Sequence, residues 1–573
     1  MRIAALLLLI FTWPALADTA APEAASGLRE RPAVYYSQHS MVSTANPYAS
    51  QAARDMLRRG GSAIDAAIAA QLVLGLTEPQ SSGIGGGAFM LYFDGRQLTS
   101  FDGRETAPAT ADSRLFLQDD GKAMDFYRAV VGGRSVGVPG VVAMLKLAHQ
   151  RGGKLPWASL FQPAIRLARN GFAVSPRLHA LLLNERFLQQ DPQARDYFYQ
   201  PDGTPRPVGS ILHNPDYAAT LQLLAQRGPA GFYQGEIASA ILDAVNHHPV
   251  NPGHLLASDL AAYQAIERKP LCGRYRSWQV CGMDAPSSGG VAVLQMLGLL
   301  QRFPLAGMAP TASSTIHLFA EANKLAFADR NRYLADPGFV AVPSTALISR
   351  DYLQQRSRLI DPAHSMGSAP AGEPAGFRLS AYGRDSAPEL PSTSHLNIVD
   401  RAGRVVSMTS SIEDQFGSRL LVKGFLLNNQ LTDFSFRPDE DGTPVANRVE
   451  ARKRPRSSMA PTMVFNARGQ FVLATGSPGG SQIIGYVSQT LLAMLDWRLN
   501  PQQAVSLPHY GNRNGVTELE QGCDLAAAQP ALRALGHTVQ QVEMTSGLSV
   551  IVRTAHGYAG GADPRREGVV LGD

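Results

Sequence analysis

The sequence predicts an α/β fold in which sheets are packed between helical layers. Three observations carry this. Residues 140–270 read mostly as helical segments. Two strand patterns, 88–93 and 97–102, lie ahead of them. From Thr393 onward, short alternating or apolar runs take over, as strands do.

The elements follow in order. A strand-like stretch covers 34–41. Asn46-Pro47 opens a helix through 49–59, because proline fits a first turn whose N–H groups have no helical partner; Gly60-Gly61 stops it. Ser62 with Asp65 makes a capping pattern for an Ala-rich helix over 63–76, whose small residues imply close packing and burial. The run Gly83-Ile84-Gly85-Gly86-Gly87 leads into a strand, and no Lys-Ser/Thr follows. A phosphate-cradling loop has the opposite order, glycines before a helix, so the run reads as close backbone packing at the floor of a site. Arg104 falls just past the strand 97–102, where a side chain can reach into a cleft.

Helices are expected over 141–150, 156–170, 176–188, 217–226, 235–247 and 257–264, then a strand pair around Cys272 and Cys281. Further helices follow at 291–302 and 315–332. Residues 361–392 are poor in large apolar side chains and rich in Ala, Gly, Pro and Ser, the composition of a flexible linker that cannot bury enough surface to order itself. Beyond it come strands at 396–399, 405–411, 463–465 and 471–475, the last two joined through Asn466-Ala467-Arg468-Gly469. Gly476-Ser477-Pro478-Gly479-Gly480 opens a helix over 481–495, and strands at 548–553 and 568–571 close the chain.

Composition narrows the class. With 45% hydrophobic and 17% charged residues the chain is an ordinary globular protein, and a net charge of +5 over 573 residues gives no case for nucleic acid or a membrane surface. The basic run Arg452-Lys453-Arg454-Pro455-Arg456 has no interleaved aromatics and reads as a solvated or substrate-facing loop. At the N-terminus, Arg2, an apolar run over 3–11 and the small-residue pattern Ala15-x-Ala17 read as a signal peptide over 1–17. The run is too short to span a bilayer comfortably, and no cysteine follows it to take a lipid. A periplasmic or secreted protein without a membrane anchor is expected. Of the three cysteines, Cys272 and Cys281 can pair in an oxidising compartment, leaving Cys523 as a small buried residue. Their spacing and number do not fit a metal site.

The stretch Pro391-Ser392-Thr393-Ser394-His395 is where the linker becomes an edge strand. If the chain were cut before Thr393, one residue would carry a hydroxyl nucleophile and a free α-amine. An α-amine titrates at about 7.7–8.0, so it can serve as the base for its own hydroxyl. Backbone amides at the Gly-rich helix start near Gly479 and Gly480 suit a developing oxyanion.

Several motifs recur together in one order: Arg59-Gly60-Gly61-Ser62-Ala63-Ile64-Asp65-Ala66-Ala67, the Gly83–Gly87 run, Asp102-Gly103-Arg104-Glu105, Thr393-Ser394-His395, Leu427-Asn428-Asn429-Gln430-Leu431-Thr432-Asp433-Phe434, Arg454-Pro455-Arg456-Ser457-Ser458-Met459 and Gly476-Ser477-Pro478-Gly479-Gly480. In these the chain resembles the gamma-glutamyltranspeptidases of the N-terminal-nucleophile hydrolase superfamily. The resemblance implies a four-layer αββα sandwich made as one precursor. It implies a cut between Ser392 and Thr393 into a large subunit (18–392, with 361–392 as linker) and a small subunit (393–573). Thr393 would take the γ-glutamyl group of glutathione or a related amide and pass it to water, an amino acid or a peptide, with no cofactor and no metal.

The same resemblance assigns roles. Gly479 and Gly480 would form the oxyanion hole, and Ser411 would help orient Thr393. Arg104, Ser457 and Ser458 would hold the substrate α-carboxylate, and Glu413, Gln430 and Asp433 its α-ammonium. Ser411 stands where the family often has threonine, and Glu413 where many members have asparagine. The stretch 435–452 is of intermediate length where longer-lidded relatives carry a covering loop. Two other readings stand beside this one: a glutaryl- or cephalosporin-type acylase of the same fold, and a non-catalytic exported binding protein.

Overall fold

The computed structural model describes residues 33–387, 390 and 392–573. The expected signal peptide, and residues 388, 389 and 391 of the stretch before Thr393, lie outside the described residues. No described helix is long and apolar enough to cross a membrane.

Fourteen strands build two seven-stranded antiparallel sheets. In chain order they are β1 (Tyr35–Ser37), β2 (Met41–Thr44), β3 (Gly87–Phe93), β4 (Leu98–Gly103), β5 (Ile266–Arg268), β6 (Leu271–Tyr275), β7 (Trp278–Gly282), β8 (Ser394–Val399), β9 (Val405–Ser411), β10 (Thr462–Phe465), β11 (Phe471–Gly476), β12 (Ser549–Thr554), β13 (Gly557–Ala562) and β14 (Val569–Gly572). One sheet runs β1-β13-β12-β11-β10-β7-β6; the other runs β14-β2-β8-β9-β3-β4-β5. Both mix strands from before and after Thr393, so the two parts of the chain are interleaved and share one core.

Helical layers cover the outer faces. Against the second sheet lie α1 (Pro47–Arg58), α2 (Ala63–Thr77) and α3 (Val141–Gly152). Against the first lie α4 (Gly289–Leu300) and α6 (Ile483–Leu495), with α5 (Ser313–Tyr333) packed on α4. The result is the expected αββα sandwich. The α2 helix shows why: it is apolar all round and every residue is buried, as a helix wedged between layers must be, and its start carries the expected Ser62–Asp65 capping box. In β3 the alternation of a strand divides the side chains. Ala88, Met90 and Tyr92 join the core beneath α2, and Phe89, Leu91 and Phe93 the core shared with the other sheet.

Three features differ from the sequence expectation. The strand after Thr393 is no edge: β8 pairs with β2 on one side and β9 on the other, and all six of its residues are buried. The Gly-rich β13 was not expected as a strand, since glycine has low strand preference. It is one because it pairs with β12 on one side and β1 on the other, and it needs glycine where a Cβ on Gly561 would lie 2.6 Å from the Pro501 backbone. The described part of 361–392 is ordered by the body of the protein: Ala369 joins the core shared with the first sheet, Met366, Ala371, Phe377 and Tyr382 pack against it, and hydrogen bonds add to this. Ala369 N–H donates to Asn514 (2.7 Å), Gly372 N–H to Asp329 (2.7 Å), and Tyr333 Oη to the Gly372 carbonyl (2.6 Å). Cys272 and Cys281 face each other across β6 and β7 and are bonded, and Cys523 is half-buried with its thiol toward the Glu520 carbonyl.

A buried imidazole pair ties the two parts of the chain together. His317 on α5 contacts the Asp361 carbonyl through Nε2 (2.7 Å) and His537 Nε2 through Nδ1 (2.7 Å), and His537 Nδ1 contacts Thr517 Oγ1 (2.9 Å). Glu321 accepts from Lys324 (2.7 Å), Ser365 Oγ (2.9 Å) and Met366 N–H (2.8 Å). His317, Glu321 and His537 have metal-ligand chemistry and proximity, yet each ring nitrogen and carboxylate oxygen is engaged in these bonds. Burial, aided by Lys324, pushes His537 down to about 4. The unfolded chain, with histidine near 6.5, therefore binds the proton first, and stability is lost as pH falls from about 6.5 toward 4. We expect the melting temperature to drop between pH 7 and 4.5, and His537→Asn to flatten that drop. Parallel acid profiles for the two proteins would place the lability elsewhere.

Candidate active site

The register of β8 on β9 makes the site. Ser394 pairs with Ser410 and His395 with Thr409, so the preceding residue, Thr393, comes opposite Ser411. Thr393 Oγ1 donates to Ser411 Oγ at 3.2 Å, and that oxygen also accepts from Glu413 N–H at 2.9 Å. Behind them the same face continues with His395 Nδ1 on Thr409 Oγ1 (2.8 Å) and Asn397 Nδ2 on Ser549 Oγ of the other sheet (2.9 Å). Burial pushes His395 down to about 3, so its ring is neutral. Thr393 is 3% exposed and has φ +154°, a backbone state that a β-branched residue keeps only when its surroundings impose it.

What holds Thr393 comes from distant segments. Arg566, just before β14, donates from Nη1 to the Thr393 carbonyl at 2.9 Å. Ser392 Oγ donates to the Gln80 carbonyl at 2.8 Å. The Gly83–Gly87 run forms the floor, as expected from its glycines: a Cβ on Gly86 would sit 2.1 Å from the Ser411 carbonyl oxygen. Gly479 (φ +134°) and Gly480 (φ +55°) open the turn leading into α6. The first N–H groups of such a turn have no helical partner and are free to face an oxyanion, and Gly480 lines the cavity beside Thr393.

Around Thr393 the structure brings together Ser411, Glu413, Gln430, Asp433, Ser457, Ser458 and Gly480, with Leu390 and Ser392 filling the space; the cavity left is about 20 Å³, room for one water. Glu413 sits at φ +79°. Its Oε2 accepts from Asn429 Nδ2, its Oε1 has no hydrogen-bond partner, and the Leu390 N–H approaches the same carboxyl. Burial first, then Asp433 and Asp414, raise this carboxyl well above the usual range. Gln430 Nε2 donates to Asp433 at 2.9 Å. Ser458 Oγ accepts from Arg330 Nη2 on α5 at 2.7 Å.

Arg104 is placed differently from the other predicted residues. It is fully buried and is not part of the cavity wall. Nε donates to the Pro455 carbonyl (3.0 Å), and Nη2 to the Arg456 carbonyl (2.7 Å) and to Asp433. Nη1 has no hydrogen-bond partner and lies 3.6 Å from Glu105. Glu105 is itself fully buried, and burial pushes it up to about 8 despite Arg104, so it holds its proton at neutral pH.

Sequence reading did not single out Asn429, Arg330, Glu105 or Arg566. Asn429 stood inside a quoted motif, where the asparagine pair was the available signal. Arg330 and Arg566 have none, because each acts across the fold on a residue far along the chain. Removing the Arg566 donor leaves a buried carbonyl bare, at a cost of about 1–3 kcal/mol. We expect Arg566→Met to lower unfolding stability by at least that amount. An unchanged denaturation midpoint would mean that the Thr393 carbonyl is satisfied by another group.

The family model described as Gamma-glutamyltranspeptidase matches residues 49–573. The chain is 36% identical to a "Glutathione hydrolase proenzyme" of Bacillus subtilis, over 93% of this chain and 91% of that one. It is 35% identical to an "Acylase ACY 1 proenzyme" of a Pseudomonas strain, over 91% of each. Among solved structures, a cephalosporin acylase from Bacillus halodurans superposes with a TM-score of 0.82 at 27% identity, covering 95% of this chain and 97% of that one.

Proposed function

This chain belongs to the gamma-glutamyltranspeptidase family, and from that premise we propose that it is a glutathione hydrolase and γ-glutamyltransferase with Thr393 as its nucleophile. Its relatives include both glutathione hydrolases and acylases at similar identity, so the choice between the two rests on the site. The observation that carries it is Glu413, a buried carboxylate beside Asp433 whose Oε1 has no partner. Asp433 has Arg104 as its counter-charge. Among the described residues Glu413 touches no cation and has only amide and hydroxyl donors around it. A γ-glutamyl donor brings an α-ammonium that favours the ionised form of this carboxyl and pairs with it. A glutaryl amide brings none, so the carboxyl keeps its proton and gains no ion pair with the substrate.

The chemistry proceeds in two stages. In the uncut chain, Thr393 Oγ1 attacks the Ser392 carbonyl carbon; the peptide C–N bond breaks, and the acyl group moves to oxygen as an ester. Water hydrolyses the ester, leaving Ser392 with a carboxylate and Thr393 with a free α-amine. The left-handed backbone at Thr393 is released in that step. The large subunit then ends at Ser392 and the small subunit starts at Thr393. In the second stage the α-amine takes the proton of Oγ1 as the hydroxyl attacks the γ-amide carbon, while Gly479 and Gly480 N–H groups receive the oxyanion. The amine leaves with the proton. Water or an amino acid amine, activated by the same α-amine, then releases glutamate or a new γ-glutamyl amide.

Ser411 orients Oγ1. Ser457 and Ser458 take the α-carboxylate, and Arg104, a guanidinium of the kind that suits a carboxylate, backs them through the Pro455 and Arg456 carbonyls it holds. Glu413, Gln430 and Asp433 take the α-ammonium. The leader over 1–17 carries the chain to the periplasm or outside, where the Cys272–Cys281 bond persists.

Purified protein on a denaturing gel tests the first stage. Scaling 61.4 kDa over 573 residues, residues 18–392 should run at about 40 kDa and 393–573 at about 19 kDa, with one uncut band for Thr393→Ala. A single uncut wild-type band, in folded protein without its leader, would favour the binding-protein reading. For the second stage, glutathione should be turned over at least about tenfold faster than a glutaryl amide in kcat/KM. The reverse preference would make the protein an acylase.

A further inference from the structure

We propose that Asp385, from the tail of the large subunit, is a positioning residue for the carboxylate-binding half of the donor site. This rests on the donor reading above. Asp385 is 3% exposed, although it lies only eight residues before Thr393. Its Oδ2 accepts from Asn447 Nδ2 at 2.8 Å and pairs with Arg456 Nη2 at 2.9 Å, both side chains of the ion pair being 1% exposed. Its backbone N–H donates to the Asn331 carbonyl at 2.8 Å. Ahead of it, Gly383 N–H donates to the Pro444 carbonyl (2.9 Å) and Arg384 N–H to Glu440 (2.7 Å). The tail thereby adds a rung to the hairpin over 439–444.

Both partners of Asp385 hold the donor site directly. Asn447 Nδ2 donates to the Asp433 carbonyl at 2.7 Å, and Asn447 Oδ1 accepts from Arg456 N–H at 2.9 Å. The Arg456 carbonyl in turn accepts from Arg104 Nη2 at 2.7 Å, and the segment runs on into Ser457 and Ser458. A single carboxylate from one side of the cut thus anchors the backbone on the other side that fixes Arg104 and both serines. Cleavage frees Leu390 and Ser392 to leave the cavity. The buried ion pair keeps Asp385 itself in place, because separating its charges would strand Arg456 in a low-dielectric interior.

The test uses processed wild type, Asp385→Asn and Asp385→Glu, each assayed with glutathione and with a glutaryl amide, which share the carboxylate end. Melting temperatures and the two-band pattern are recorded alongside. Asn keeps the shape and removes the charge. We expect all three proteins to be cut, Asp385→Asn to raise KM about tenfold for whichever substrate is turned over, kcat to stay within about twofold, and Asp385→Glu to recover most of the KM. An unchanged KM in folded, cut Asp385→Asn overturns the proposal. So does a loss of kcat and melting temperature at unchanged KM, the mark of a merely structural role. If Asp385→Asn fails to fold, Asp385→Ser is measured in its place: a raised KM supports the proposal and a KM equal to wild type overturns it. A wild type that turns over neither substrate overturns the donor reading, and this inference with it.

Discussion

Everything at this site depends on one piece of backbone pairing. Antiparallel pairing of β8 with β9 puts Thr393 opposite Ser411, and a slip of one residue would turn the hydroxyl to the other face of the sheet. The structure guards that register from both sides. Below it, α2 covers Leu396 and Ile398; above it, His395 and Asn397 make polar contacts in the layer between the sheets. Because β8 is central and paired on both flanks, the residue at its start cannot drift, and a strained φ at Thr393 is sustained by the pairing beyond it. Thr393 is positioned by a central strand paired on both flanks.

The second constraint is charge. Arg104 sits on Asp433, Arg419 lies between Glu185 and Asp414, and Arg456 is paired with Asp385. Glu105 avoids needing a partner by holding its proton. Glu413 is the carboxylate left over, raised by burial and by Asp433. A buried carboxyl that ionises only when a cation comes beside it is a site prepared for one cation. This is a firmer ground for the γ-glutamyl reading than overall similarity, which acylases and glutathione hydrolases share almost equally.

How much of this the sequence disclosed follows from the range over which each signal acts. The α2 helix, its Ser62–Asp65 cap and the β8–β9 pair were legible because capping and alternation are local patterns. The glycines of 83–87 were legible as a floor because the strand that follows them excludes an anion loop. What could not be read is made by distant partners. Strand β13 has the composition of a loop and is a strand because it pairs with β12 on one side and β1 on the other. Arg330 reaches Ser458 and Arg566 reaches Thr393 across more than a hundred residues, and no spacing rule connects such pairs. Arg104 is expected from its position to reach into a cleft, but it is buried behind Asp433, held by the carbonyls of Pro455 and Arg456.

The stretch before Thr393 carries the same lesson further. Its composition describes a chain that cannot order itself. Order comes from the body: the few apolar side chains, Met366, Ala369, Ala371, Phe377 and Tyr382, pack on the core, and polar anchors hold the backbone, Asn514, Asp329, Asn331, and above all the Arg456–Asn447 pair that receives Asp385. Such anchors separate the tail into two parts with opposite fates. Up to Asp385 it is bound by buried charge, and the energy of that contact does not depend on the peptide bond at 392–393. Beyond Asp385 it is held in the cavity through contacts such as Ser392 on the Gln80 carbonyl and Leu390 near Glu413, groups that a substrate ammonium and water can replace. Cutting the chain therefore need not reorganise the site; it removes the tether that keeps a weak occupant at high effective concentration, and leaves the strong anchor where it was.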